Sequence, residues 1–123
     1  MEFSELLRRR TMTFAISVIR FCRSLPKTME CDVIARQLLK AGTSVGANYR
    51  ASCCGRSGGE WCAKLGIARE EADETNYWLT ILTTLRIGPA AERSRLQGES
   101  AELTRLLSAS IRTFKASKSS ESS

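Results

Sequence analysis

Arg8, Arg9 and Arg10 form a basic run, and Arg20, Arg23, Arg36, Lys40, Arg50 and Arg56 follow it through the first half of the chain. Residues 1–59 hold ten basic and four acidic side chains, whereas residues 60–123 hold nine of each. The whole surplus of +6 therefore lies in the N-terminal half. Cationic side chains gathered this way neutralise phosphates and release condensed counterions, so the chemistry on offer is polyanion binding, with RNA or DNA the simplest partner. Docking of an acidic protein is the other use of the same charge.

The chain has no histidine. That removes the commonest general base, the usual nucleophilic triad and most zinc sites, and no catalytic, cofactor or metal residues are expected. Glu70, Glu71, Asp73 and Glu74 form an acidic cluster. Metal sites in helical bundles pair Glu with a His three residues on, so this cluster reads as a solvated or inter-subunit face. Gly55 to Gly59 lacks the Gly-Lys-Ser/Thr ending that cradles phosphate, and reads as a turn. The cysteines are Cys22, Cys31, Cys53, Cys54 and Cys62, odd in number and without a C-x-x-C pair. Together with the absence of a signal peptide, they point to reduced thiols and a cytoplasmic setting. The longest uncharged stretch, residues 75–85, is too short to span a membrane.

The periodicities predict four helices. In the first, about Glu2 to Arg23, Phe3, Leu7, Phe14, Val18 and Phe21 share one face, and Leu25-Pro26 ends it. The second starts after Thr28 as N-cap and runs to about Cys53, its apolar register passing through Gly42 and Gly46. A break at Gly42 is the alternative. Gly, Ser and Asn oppose helix formation, so their presence in mid-helix needs another reason. Small residues permit close helix approach, which marks Gly42, Ser44, Gly46, Asn48 and Tyr49 as contact residues, and Glu71 and Glu74 of the acidic cluster join them as interface candidates. Ser57 and Glu60 have capping-box spacing at the start of the third helix, about Gly58 to Arg86. Its seam is Trp61, Leu65, Ala68, Ala72, Thr75, Leu79 and Leu82, in alternating steps of four and three. The fourth runs from about Ala91 to Lys115 with Leu96, Leu103, Leu107, Ile111 and Phe114 on one face. The expected architecture is all-α: an up-down-up-down four-helix bundle over residues 1–115, with a disordered Ser-rich tail at 116–123.

Several of these segments, read together, resemble one family. They are Leu25-Pro26-Lys27-Thr28, the run Gln37 to Arg50, Glu60-Trp61, Lys64 to Ala68, and Glu71 to Leu79. The pattern is similar to that of the bacterial four-helix-bundle proteins encoded in intervening sequences of 23S ribosomal RNA genes, also called S23 ribosomal proteins. The accessory variability protein of diversity-generating retroelements belongs to the same group. The resemblance covers about Phe3 to Lys115 and implies a homopentamer without enzymatic activity. For the retroelement member it implies nucleic-acid binding and contact with a reverse transcriptase. Two positions depart from the pattern: Ser52 stands where an acidic residue is usual, and Gly58-Gly59 where a Lys is usual.

The combined expectation is a non-catalytic, oligomeric bundle that offers a basic surface to RNA or DNA.

Overall fold

In a computed structural model, which describes residues 2–55 and 57–122 and side chains as far as residue 117, the chain forms four helices. They are α1 (Phe3–Arg23), α2 (Met29–Cys53), α3 (Gly58–Leu85) and α4 (Ala90–Ser122), with no strand among the described residues. Short turns make sequential neighbours antiparallel. α2 packs extensively on α1 and on α3, and α3 on α4, but α1 and α4 meet only sparingly. The bundle is therefore closed on three sides and open along the fourth.

The core is the set of stripes that the periodicities predict. Leu7, Phe14, Val18 and Phe21 of α1 meet Leu38, Val45 and Tyr49 of α2, and Leu65, Leu79 and Leu82 of α3 meet Leu103, Leu107 and Ile111 of α4. Each such side chain, fully buried, contributes roughly 1.5–3 kcal/mol. Phe3 does not join this stripe and is 52% exposed. It is the first helical residue, at the end of the bundle, and its ring borders a shallow apolar depression with Trp61 and Phe114. Those two rings pack at a tilt of 49° with centroids 4.9 Å apart.

Local chemistry sets the helix ends. The Thr28 hydroxyl accepts from the Cys31 N–H, and the Ser57 hydroxyl accepts from the Glu60 N–H at 3.1 Å. α3 stops before Gly88-Pro89, because Arg86 takes the left-handed conformation (φ 56°, ψ 44°). The Ile87 N–H then donates to the Leu82 carbonyl and the Arg86 N–H to that of Thr83, a Schellman closure. Gly88, at φ 84°, lets the turn lie against Phe21 and Leu25. The buried Arg93 guanidinium holds this turn, donating from Nη1 to the carbonyls of Ile87 and Gly88 at 2.8 and 2.9 Å.

α4 continues past Lys115, through the segment expected as a disordered tail, as helix to Ser122. After Gly98 the chain contains no Gly or Pro to stop it. The side chains of residues 118–123 lie outside the described residues.

Candidate nucleic-acid interface

α2 is one unbroken helix through Gly42 and Gly46, and α1 is the reason both are glycine. A Cβ on Gly42 would lie 2.8 Å from Val18 Cγ1, and one on Gly46 would lie 3.1 Å from Thr11 Oγ1. Backbone thus approaches side chain directly. Thr11 is fully buried, and its hydroxyl is satisfied by the Leu7 carbonyl of its own helix at 2.8 Å. Polar residues of α2 also bond within their own helix. Ser44 donates to the Lys40 carbonyl, and Asn48 Nδ2 donates to the Ser44 carbonyl at 2.9 Å.

On the outside of this contact runs a groove of about 400 Å³. Its floor is Thr11 and Gly46, its walls are Met12 and Ala15 of α1 with Thr43 and Ala47 of α2, and Arg8 and Arg50 line it from the two helices. Arg8 is exposed and lies against the Cys53 side chain, and hydrogen bonding to that sulfur, then its charge, holds the guanidinium pKa above its ordinary value. Tyr49 closes the base of this cluster at 5% exposure. Burial, and secondarily Cys53, push its hydroxyl up to about 12. Lys40 and Arg36 project from the exposed edge of α2, about one and two turns before Thr43.

The remaining candidates are dispersed. Arg9 pairs with Glu5 at 3.4 Å on the surface of α1. Arg10 turns to the other side, donating through Nε and Nη2 to both carboxylate oxygens of Glu99 on α4 at 2.7 and 2.8 Å. That bidentate bond raises the Arg10 pKa. Arg20 faces α4 as well, and Arg23 is exposed at the end of α1. Arg56 lies outside the described residues. The structure therefore gathers Arg8, Arg50, Arg36 and Lys40 about α2, and separates Arg10 and Arg20 from them.

Glu71 and Glu74, the acidic contact candidates, are half-buried on α3. Burial first, and the neighbouring Glu74 second, raise the Glu71 pKa, while Ser44 and Lys40 of α2 oppose the rise. So Glu71 faces the same stretch of α2 that carries the basic edge. Among the described residues, no group of three or more His, Cys, Asp or Glu side chains is placed to hold a metal ion. No described helix is long and apolar enough to cross a membrane.

Ser52 and Gly58 have a local account, whereas a Cβ on Gly59 would meet only Ser57 Oγ at 3.9 Å and nothing in the structure requires glycine there. Ser52 is buried, and its hydroxyl donates to the Tyr49 carbonyl, so no basic partner is needed there. A Cβ on Gly58 would lie 2.6 Å from Phe114 Cζ, so a side chain at that position would require the half-buried ring on α4 to shift. The sequence carries no signal for the Arg10–Glu99 pair, because its members are 89 residues apart.

No curated protein matches the chain. A solved structure with a TM-score of 0.81 is 28% identical, and the match covers 89% of this chain and 97% of that one. It is a protein of unknown function from the S23 ribosomal protein family of Bacteroides thetaiotaomicron VPI-5482. Residues 6–109 match the family model of the 23S rRNA-intervening sequence protein. That span takes in the α1–α2 contact, its groove and the acidic face of α3, and the chain belongs to the 23S rRNA-intervening sequence protein family.

Proposed function

We propose that this bundle is a non-catalytic, oligomeric nucleic-acid-binding protein whose contact surface is the α1–α2 groove and the basic edge of α2. The observation that carries this reading is the placement of Arg8 and Arg50 on one groove, with Arg36 and Lys40 on the adjoining edge of α2. None of these four has a carboxylate within ion-pair distance among the described residues. Their charge is thus available to phosphate. Contacts of this kind position a polyanion without reading its sequence. The family's name links it to 23S ribosomal RNA, so RNA is the first polyanion to test.

The test is binding of RNA and DNA measured across a salt series. The wild-type affinity should fall linearly on a log–log plot. Replacing Arg36, Lys40 and Arg50 together by Gln should weaken binding to all sequences alike and flatten the slope by about one unit per lost contact. No binding of either nucleic acid at low salt would overturn the reading, and docking of an acidic protein would take its place.

A further inference from the structure

We propose that the exposed aromatic depression at one end of the bundle, formed by Phe3, Trp61 and Phe114, stacks an unpaired base of a nucleic-acid strand whose phosphates lie in the α1–α2 groove. This rests on the nucleic-acid reading and adds to it a preference for single strands. The depression joins the start of α1, the start of α3 and the end of α4, and spans about 430 Å³. Its rings can be reached: Phe3 is 52% exposed, and Trp61 and Phe114 are each half-buried. Trp61 and Phe114 pack on each other, which fixes that pair in place beside Phe3.

Two observations select a base as the occupant. The first is the lining, which carries no charged side chain and offers, beside the rings, the hydroxyls of Ser110, Thr113 and Ser117. A flat, neutral group with polar edges suits such a wall, since a base has a π-face for the rings and edge atoms for the hydroxyls. The second is that the depression continues the basic groove. α1 starts and α2 ends at this end of the bundle, so Arg8 lies in the second turn of α1 and Arg50 in the last turn of α2. Phe3 precedes Arg8 by five residues. That is about 7.5 Å along the helix axis and about 140° around it. The two side chains thus flank the core stripe of α1, Arg8 toward α2 and Phe3 toward α4. A strand held by phosphate at Arg8 and Arg50 meets the rings within a few nucleotides. A positive groove that leads to an aromatic platform is how proteins hold single strands without reading their sequence. A duplex keeps its bases stacked on one another and gains nothing from the platform.

The test is the fluorescence of Trp61, read in full-length Trp78→Phe so that one indole remains. The Trp78 Nε1–H is buried without a hydrogen-bond partner among the described residues, so phenylalanine there strands no group. An unstructured oligoribonucleotide should quench Trp61 saturably at low salt, and its duplex with the complementary strand should not. Phe3→Ala should weaken single-strand binding about fivefold or more, the worth of one stacked base, and leave duplex binding and the salt slope unchanged. Phe3→Tyr, which keeps a ring, should bind as the wild type does. Phe3 lies outside the core, and thermal melting will verify that the fold is kept. Equal quenching by duplex and single strand, or an unchanged single-strand affinity in Phe3→Ala, would overturn the proposal. If RNA binds through Arg36, Lys40 and Arg50 and leaves Trp61 unquenched, the base seat fails and the broader reading stands. Absence of any RNA or DNA binding at low salt overturns both.

Discussion

Gly42 is the residue at which packing and propensity oppose each other most directly. Alanine in mid-helix is favoured over glycine by about 1 kcal/mol. Here its methyl would sit 2.8 Å from Val18 Cγ1, on a β-branched side chain that is fully buried and holds one rotamer in a helix. Overpacking of this kind costs about 1–3 kcal/mol, so Gly42→Ala should be net destabilising in a denaturant melt. Adding Val18→Ala should recover part of the loss, and a double-mutant cycle should show a favourable coupling. Additive losses would show that the two residues do not press on each other. Cys22 gives a second measurement at this scale. It is buried, and burial raises its thiol from the ordinary 9.0 to about 11. The unfolded chain therefore releases this proton first. Below pH 9 the group does not penalise folding, and between about pH 9 and 11 stability falls as the unfolded thiolate forms. Thermal melts should show a steeper alkaline decline for the wild type than for Cys22→Ala over that window. Parallel curves would remove Cys22 from the account.

The end of α3 is set by one element-scale choice that the residue identities do not favour. Arg86 occupies the left-handed position of the Schellman closure, where a side chain costs about 1–2 kcal/mol. Glycine removes that strain but adds about 0.4–1 kcal/mol of unfolded-state entropy. Arg86→Gly should therefore stabilise by about 0.5–1 kcal/mol, read as a raised melting temperature, with Arg86→Ala giving no comparable gain. Gly88-Pro89 marks this stop in the sequence to within a few residues, but nothing in the composition marks Arg86, because a Schellman closure is specified by backbone bonds from Ile87 and Arg86. Periodicity made the rest of the helices legible. The α3 seam from Leu65 to Leu82 is buried at each predicted step, since a heptad stripe has one face to hide. The site was legible only in part. Arg8, Arg36, Lys40 and Arg50 could be named from charge, but which of the arginines share a face depends on α1 packing between α2 and α4. Arg10, two residues from Arg8, points to Glu99, and that difference of 200° around a helix is not written in the basic run itself.

At the scale of the whole molecule, the uneven surface predicts how copies and polyanions engage it. The basic edge of α2 and the acidic cluster on α3 lie on neighbouring helices, an arrangement that suits a head-to-tail contact between copies, and such contacts make a ring when the rotation between copies closes. Met29 and Val33 at the start of α2 and Leu85 at the end of α3 are exposed at the same end of the bundle, and add apolar area that a partner copy can cover. The expected assembly is a homopentamer, five times the 13.6 kDa protomer mass by light scattering, and a protomer mass at ordinary salt would defeat it. A ring would present five basic grooves at once, so losses at one groove are multiplied in avidity. That makes the arginine run of α1 a discriminating test of the functional reading. Replacing Arg8 by Gln should weaken RNA binding and flatten its salt dependence by about one unit, since Arg8 lines the groove, whereas Arg9→Gln, at the residue paired with Glu5, should leave the slope nearly unchanged. Arg10→Gln should leave the slope unchanged and instead cost about 0.5–1 kcal/mol of fold stability, because its bond to Glu99 is a part-exposed, solvent-screened pair that joins α1 to α4. If Arg10→Gln flattens the salt slope as much as Arg8→Gln does, the bond to Glu99 yields to phosphate, and the binding surface extends around α1 to the open side of the bundle.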